Sequence, residues 1–352
     1  MNAKTVMWRL SGLMAGAAAL VMAGAAYAPP AAAQKTKVVV YTAIEADDLK
    51  KYKERFEKDV PDVDIQWVRD STGVIEAKLL AEKNNPQADV IWGLAATSLL
   101  RMSGEGMLQP YAPKGIEGIS AQFRDSANPP AWVGMDVWAA TICYNTVERD
   151  KKKLPAITSW QDLTKPEFKG AITMPHPASS GTGYLMVSSW LQLMGEDAGW
   201  KFMDALHNNV GVYVHSGSKP CRQAGAGEYP VGISFEFRAS RTKRDGAPID
   251  IVFPKEGLGW DMEATAVMKG TKNLAAAQKV ADWAASANAN TMYAEGYAVT
   301  ARSGVAKQLP HLPAPADFEK LLAKNDFLWA ANNRQRILAE WNKRYNAKAE
   351  KS

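Results

Sequence analysis

Met174-Pro175-His176-Pro177-Ala178-Ser179-Ser180-Gly181-Thr182-Gly183-Tyr184 is the stretch on which the reading of this chain turns. It follows a β-like run at 170–174 and leads into a helical pattern at 184–191. Two prolines stop the strand, and Ser-Ser-Gly-Thr-Gly opens the helix. A turn of this kind leaves backbone N–H groups unpaired at the positive end of a helix dipole, with hydroxyls beside them. Such a device binds oxyanions: phosphate, phosphonate or carboxylate. An ordinary Ser/Thr N-cap with turn glycines has the same residues, so recurrence of the device along the chain decides.

It does recur. Residues 37–43 form an apolar run of strand length and 64–68 a second. Asp70-Ser71-Thr72-Gly73 then caps a helix expected over 74–83. A third strand at 88–92 ends in Gly93-Leu94-Ala95-Ala96-Thr97-Ser98. Strands alternating with helices predict an α/β sheet whose ligands sit in the loops after strand ends. That rim carries Tyr41 and Glu45, then Ser71 and Thr72, then Ala96 and Thr97. A second α/β unit starts with the apolar run 137–145, which includes Trp138, and contains the opening stretch. His215-Ser216-Gly217-Ser218-Lys219-Pro220 is a further Ser/Gly helix start. Residues 230–238 read as a strand with Glu236 between two phenylalanines, and Trp260 stands beside Asp261 in a Gly-rich turn. From Ala264 a short strand gives way to helices, over 274–286 and in a terminal pair at 321–329 and 337–345 with a solvated basic tail.

The N-terminal 33 residues stand apart. Lys4 and Arg9 precede an apolar, Ala-rich core at 10–26, and Ala31-Ala32-Ala33 supplies small residues for cleavage. This predicts a secretory signal peptide and a soluble periplasmic product, with no cysteine there to carry a lipid. The whole chain holds 42 basic and 37 acidic side chains; without Lys4 and Arg9 its formal charge falls from +5 to +3. That balance gives no reason to expect nucleic-acid binding. The remaining length is more than one core usually holds, so two lobes are expected. The two cysteines, Cys143 and Cys221, are permitted a disulfide in an oxidising compartment. The four histidines are scattered, so no metal site is expected, and no cofactor. Ser180-Gly181-Thr182-Gly183 lacks the G-x-S-x-G spacing of a nucleophile elbow, which argues against an exported phosphoesterase-type hydrolase. We therefore expect no enzyme.

Taken together, Val68-Arg69-Asp70-Ser71-Thr72-Gly73, Trp92-Gly93-Leu94-Ala95-Ala96-Thr97-Ser98, Ala178-Ser179-Ser180-Gly181-Thr182-Gly183, His215-Ser216-Gly217-Ser218-Lys219-Pro220-Cys221 and Gly257-Leu258-Gly259-Trp260-Asp261 resemble the 2-aminoethylphosphonate-binding proteins of ABC importers. These are relatives of the ferric-ion and polyamine binders. The resemblance implies a two-lobed periplasmic-binding-protein fold of type II, each lobe a mixed sheet flanked by helices, hinged by crossover strands. On it, lobe 1 takes 34–137 and 262–310, lobe 2 takes 138–261, and helices in 311–352 pack on both. It also implies a monomer that delivers its ligand to a membrane permease driven by an ATPase. Where ferric binders carry a Tyr-Tyr pair, this chain has Phe235-Glu236-Phe237, which argues against iron. A polyamine, thiamine or a sugar phosphate are the other solutes the fold admits. For an aminophosphonate, Ser71, Thr72, Ala96, Thr97, Ser180, Gly181, Thr182 and Ser216 would hold the anionic end. Tyr41, Glu45, Trp138, Glu236, Trp260 and Asp261 would hold the amine, by charge or by a π face.

Overall fold

The computed structural model describes residues 35–351; the expected signal peptide lies outside the described residues. Eleven strands form one sheet: β1 (Thr36–Thr42), β2 (Val63–Arg69), β3 (Val90–Ala95), β4 (Leu108–Gln109), β5 (Val133–Asn145), β6 (Ile172–Pro175), β7 (Val210–Val214), β8 (Val231–Phe235), β9 (Ile249–Val252), β10 (Trp260–Met268) and β11 (Val299–Thr300). The main path runs β2-β1-β3-β10-β5-β8-β6-β7. β1 pairs in parallel with β2 and β3, and β6 with β7 and β8, as right-handed crossovers through helices require. β10 and β5 run antiparallel to their neighbours, so the sheet is mixed.

One strand organises the whole. β5 is buried at all 13 positions and changes partners partway along. Its first part pairs with β10 and β11 up to Ala139, and from Ala140 it pairs with β8 and β9. The two halves of the sheet therefore share a backbone at Ala139–Ala140, and each has its own core. Trp92, Phe56, Tyr52, Trp283 and Tyr293 pack edge-on beside β1 and β3. Trp160, Trp190 and Phe202 pack in the other half.

Three expectations are corrected. The run 230–238 is not one strand: β8 ends at Phe235 and Glu236 begins the helix Glu236–Arg244, where a carboxylate suits the positive end of the dipole. The expected terminal helix pair is one helix, Phe327–Tyr345, preceded by irregular chain. Its Arg334 is buried, stacked 4.2 Å over the Tyr184 ring and 3.1 Å from Glu76, which holds the helix against both halves of the sheet. The basic tail is solvated only in part: Lys343, Arg344 and Lys351 are exposed, but Lys348 Nζ donates to the carbonyls of His207 and Val210 at 2.5 and 2.6 Å, and Glu350 N to that of Tyr213 at 2.8 Å.

Candidate functional site

Two helices start head to head. Thr72–Ala81 follows β2 with Ser71 as N-cap, and Gly181–Met194 follows β6 with Ser180 as N-cap. Ser180 Oγ accepts from Gly183 N, whereas the N–H groups of Thr72, Gly181 and Thr182 have no partner among the described residues. The two starts are stitched by Gly73 N donating to Ser179 O at 2.8 Å. Only glycine permits this approach: a Cβ on Gly73 would sit inside the Ala178 carbonyl, and one on Gly181 would be 2.5 Å from Thr72 Oγ1. The loop Ser216–Ser218 closes in beside them, held by Ser234 Oγ donating to Gly217 O at 2.7 Å.

These turns line a partly open cavity of about 50 Å³. Ser71, Thr72, Ser180, Gly181, Thr182 and Ser216 line it, as do Glu45 and Trp138. The structure thus brings eight of the fourteen sequence-predicted ligand residues to one place. The other six do not line it. Ala96 and Thr97 begin a helix whose neighbour Ala95 does the lining. Thr97 Oγ1 donates to Asp261 at 2.6 Å, and the other Asp261 oxygen accepts from Met262 N at 2.7 Å, so Asp261 is used internally. Trp260 donates to Ala323 O and packs on Phe327. Tyr41 donates to Glu82 at 2.9 Å.

Glu236 is fully buried and one of its oxygens accepts from Ala139 N at 2.7 Å, on the strand where the sheet halves meet. Its other oxygen has no partner among the described residues. Burial pushes its pKa up to about 8, against the lowering effect of the backbone N–H groups. An acid whose folded pKa lies above its unfolded value, about 4.3, binds more protons when native. Stability from this group is therefore present at low pH and lost as pH rises through that window. Glu236→Gln cannot titrate. Against wild type it should gain on the order of 3–4 kcal/mol between about pH 5 and pH 8, since each pH unit between the unfolded and folded values is worth about 1.4 kcal/mol. Parallel denaturant curves at the two pH values check this; identical pH dependence in both proteins would sink it.

Sequence reasoning missed Arg69, Phe235, Glu263 and Tyr297, all of which line the cavity. Arg69 is the cation among the lining residues; its Nε donates to Ile44 O at 3.1 Å. Glu45 is already engaged, accepting from Ser218 Oγ at 2.6 Å and from Arg238. With Asp47–Arg238 at 3.2 Å and Asp48–Arg241 at 2.7 Å, it belongs to a band of ion pairs beside the cavity, and Asp70 meets His215 at 3.0 Å. Glu263 differs. No hydrogen bond or ion pair reaches its carboxylate among the described residues; burial and the charges around it set its environment. Burial, then the charges of Glu45 and Asp48, push its pKa up to about 8, Arg69 opposing. The surface it retains faces the cavity. The signal was available in the alternation of β10, where Glu263 follows Asp261 by two, but a carboxylate after a Gly-rich turn does not announce its face.

Cys143 and Cys221 are joined by a disulfide, with Cα atoms 5.3 Å apart, tying β5 to the helix Lys219–Gly225 that follows the Ser216 loop. Among the described residues no group of three or more His, Cys, Asp or Glu side chains could hold a metal ion, and no helix is long and apolar enough to cross a membrane.

Comparison with known proteins places this architecture. The chain resembles the solved periplasmic binding protein AfuA from Actinobacillus pleuropneumoniae, described with exogenous fructose-6-phosphate bound, at 30% identity and a TM-score of 0.82, covering 89% of this chain and 99% of that one. The periplasmic binding protein P5PA aligns at 25% identity and a TM-score of 0.79, covering 88% and 100%. The apo ferric ion-binding protein A of Pasteurella haemolytica, at 19% identity and a TM-score of 0.71, covers 88% and 98% and shares the fold. In sequence, an uncharacterised protein of Haemophilus influenzae is 34% identical over 228 residues, 64% of this chain. A probable ABC transporter periplasmic-binding protein of Sinorhizobium fredii is 26% identical over 237 residues, 66% of this chain. The chain spans 66% and 65% of the length of these two relatives. The fold is the α/β periplasmic-binding-protein fold, and residues 85–334 match the family described as bacterial extracellular solute-binding protein. The chain belongs to that family.

Proposed function

We propose that the chain is the periplasmic solute-binding component of an ABC importer and that its cargo is 2-aminoethylphosphonate or a close aminophosphonate. The observation that carries this reading is a nest of uncharged donors and an unpaired acid in one cavity. The hydroxyls and free N–H groups at Ser71, Thr72, Ser180, Gly181, Thr182 and Ser216, with Arg69 beside them, suit a small dianion at two helix starts. Glu263 is free to accept from an ammonium two carbons away, and Trp138 and Phe235 offer apolar walls. Glu45, Tyr41, Glu236, Trp260 and Asp261 have protein partners instead, so the amine end moves to Glu263. The two halves, meeting at Ala139–Ala140, would part to admit cargo and close over it, a hinge of the usual kind. The closed form would then be read by a permease. Binding and release need no covalent step, and we assign no catalytic residue.

A sugar phosphate is the second reading, favoured by the ligand named for AfuA; its hydroxyls would also meet Glu263. Calorimetry separates the two. Titration with 2-aminoethylphosphonate should give micromolar or tighter affinity, with fructose-6-phosphate, spermidine and ferric ion much weaker. Glu263→Gln removes one charge-assisted hydrogen bond, of about 1.5–3 kcal/mol. It should weaken 2-aminoethylphosphonate about 10- to 100-fold and ethylphosphonate, which lacks the amine, hardly at all. Equal losses for both would show that Glu263 does not meet the amine.

A further inference from the structure

Behind Glu263 stands an acid with nothing to bind. Asp136 lies on β5 directly opposite Glu263 of β10, and Trp138 lies opposite Asp261. Residues facing each other in an antiparallel pair share a side of the sheet, as do residues two apart on one strand. Asp136 and Glu263 therefore stand on the face where Trp138 and Glu263 line the cavity. Asp136 is 1% exposed and neither of its oxygens has a partner among the described residues. Two ionised carboxyls cannot sit together there without a countercharge, because burial and mutual repulsion both oppose it. Among the charged neighbours, Asp48 on the helix Ala46–Asp59 is paired with Arg241 and Lys51, and Glu45 before it with Arg238. Glu236 faces the pair from its helix start, Tyr52, Tyr293 and Tyr297 surround it as neutral phenols, and Arg69 is the cation that opposes from the cavity.

We propose that the Asp136–Glu263 pair is held neutral in the empty cleft, and that a cationic group entering beside Glu263 displaces the Glu263 proton, so that capture of an amine-bearing cargo is linked to proton release. This rests on the reading of Glu263 as the acceptor of the cargo's amine. The step balances simply: the Glu263 O–H bond breaks, the proton passes through the cavity to solvent, and the ammonium replaces it as the positive partner of the carboxylate. Asp136 keeps its proton throughout. The raised pKa values of both groups agree with this geometry. The consequence is specificity by charge. A neutral group at the same place gains nothing from Glu263 becoming ionised, whereas an ammonium does, and its affinity rises with pH.

Two measurements on the full mature protein test it. In calorimetry of 2-aminoethylphosphonate at pH 7, the apparent enthalpy should vary with the ionisation enthalpy of the buffer. The slope should correspond to close to one more proton released by wild type than by Glu263→Gln, and wild-type affinity should rise relative to the variant by up to about tenfold per pH unit below pH 8. Infrared difference spectra of the ligand-free protein should show protonated buried carboxylic acid at pH 7, one component of which is missing in Glu263→Gln and lost from wild type when 2-aminoethylphosphonate is added, the Asp136 component remaining. Equal proton release by both proteins, or the absence of that band from ligand-free wild type, overturns the proposal. If 2-aminoethylphosphonate does not bind while the band is present, the cargo reading fails and the displacement step with it, but the neutral pair stands.

Discussion

Replacing Gly73 by alanine is expected to weaken cargo binding by about 10- to 100-fold while leaving the ligand-free protein folded. Gly73 lies in the first turn of the helix Thr72–Ala81, against the Ala178–Ser179 backbone of the facing turn. A methyl group there meets a carbonyl oxygen rather than a flexible side chain, so it cannot be accommodated by a rotamer change. Overpacking of this kind costs typically 1–3 kcal/mol. Under the proposed hinge that cost falls on the closed form alone, because parted halves no longer bring the two turns together. The methyl group also takes the Gly73 N to Ser179 O bond out of register. Calorimetry gives the affinity and thermal denaturation without ligand gives the fold. A variant that binds as wild type would show that the two turns do not need to meet when cargo is held. One that loses ligand-free stability by the same amount would show that the contact is permanent.

Removing the Cys143–Cys221 bridge is expected to cost about 2–4.5 kcal/mol of stability. The bridge closes a loop of 78 residues, for which loop-closure entropy gives roughly 4.5 kcal/mol at the upper end. Both sulfurs are buried with Ala224, Ala239 and Ile249, so a paired Cys143→Ala, Cys221→Ala variant keeps the packing while losing the link. Denaturant midpoints of that variant and of wild type with and without reductant measure the effect. The bridge also fixes the helix that follows the Ser216 loop, so affinity should fall with stability. Unchanged midpoints on reduction would mean that the unfolded chain gains nothing from the freed loop.

The architecture was open to sequence reasoning because its signals are local. Apolar runs of strand length, helix starts rich in Ser, Thr and Gly, and their alternation locate β1, β2, β3, β6 and β7 within a few residues. The helix starts proposed to face an anion were legible for the same reason. Helix N-termini expose donors by the geometry of the backbone, and a loop that follows a strand in such a sheet falls on one rim. Residues that fail the local test were misread. Glu236 sits between aromatics and suggests a strand, yet it begins a helix, since nothing in five neighbouring residues records what β5 needs from that carboxylate. Leu321–Trp329 has helical spacing but is pulled open, Leu322 bridging to Leu258 and Leu321 accepting from it.

What the chain determined by itself is the kind of fold, the export-like leader as an expectation, and the Ser/Thr/Gly helix starts that line the cavity, all of which depend on neighbours in sequence. Tertiary structure alone decided which acid is free. Glu45, Glu236, Asp261 and Glu263 look alike in sequence, but Ser218 and Arg238 occupy the first, the Ala139 N–H the second and Thr97 the third, leaving Glu263 unpaired beside the cavity. The physical reason is that a carboxylate's role is set by what donates to it and how deeply it is buried. Both are fixed by residues between 97 and 193 positions away along the chain, such as Ala139 for Glu236 and Arg238 for Glu45.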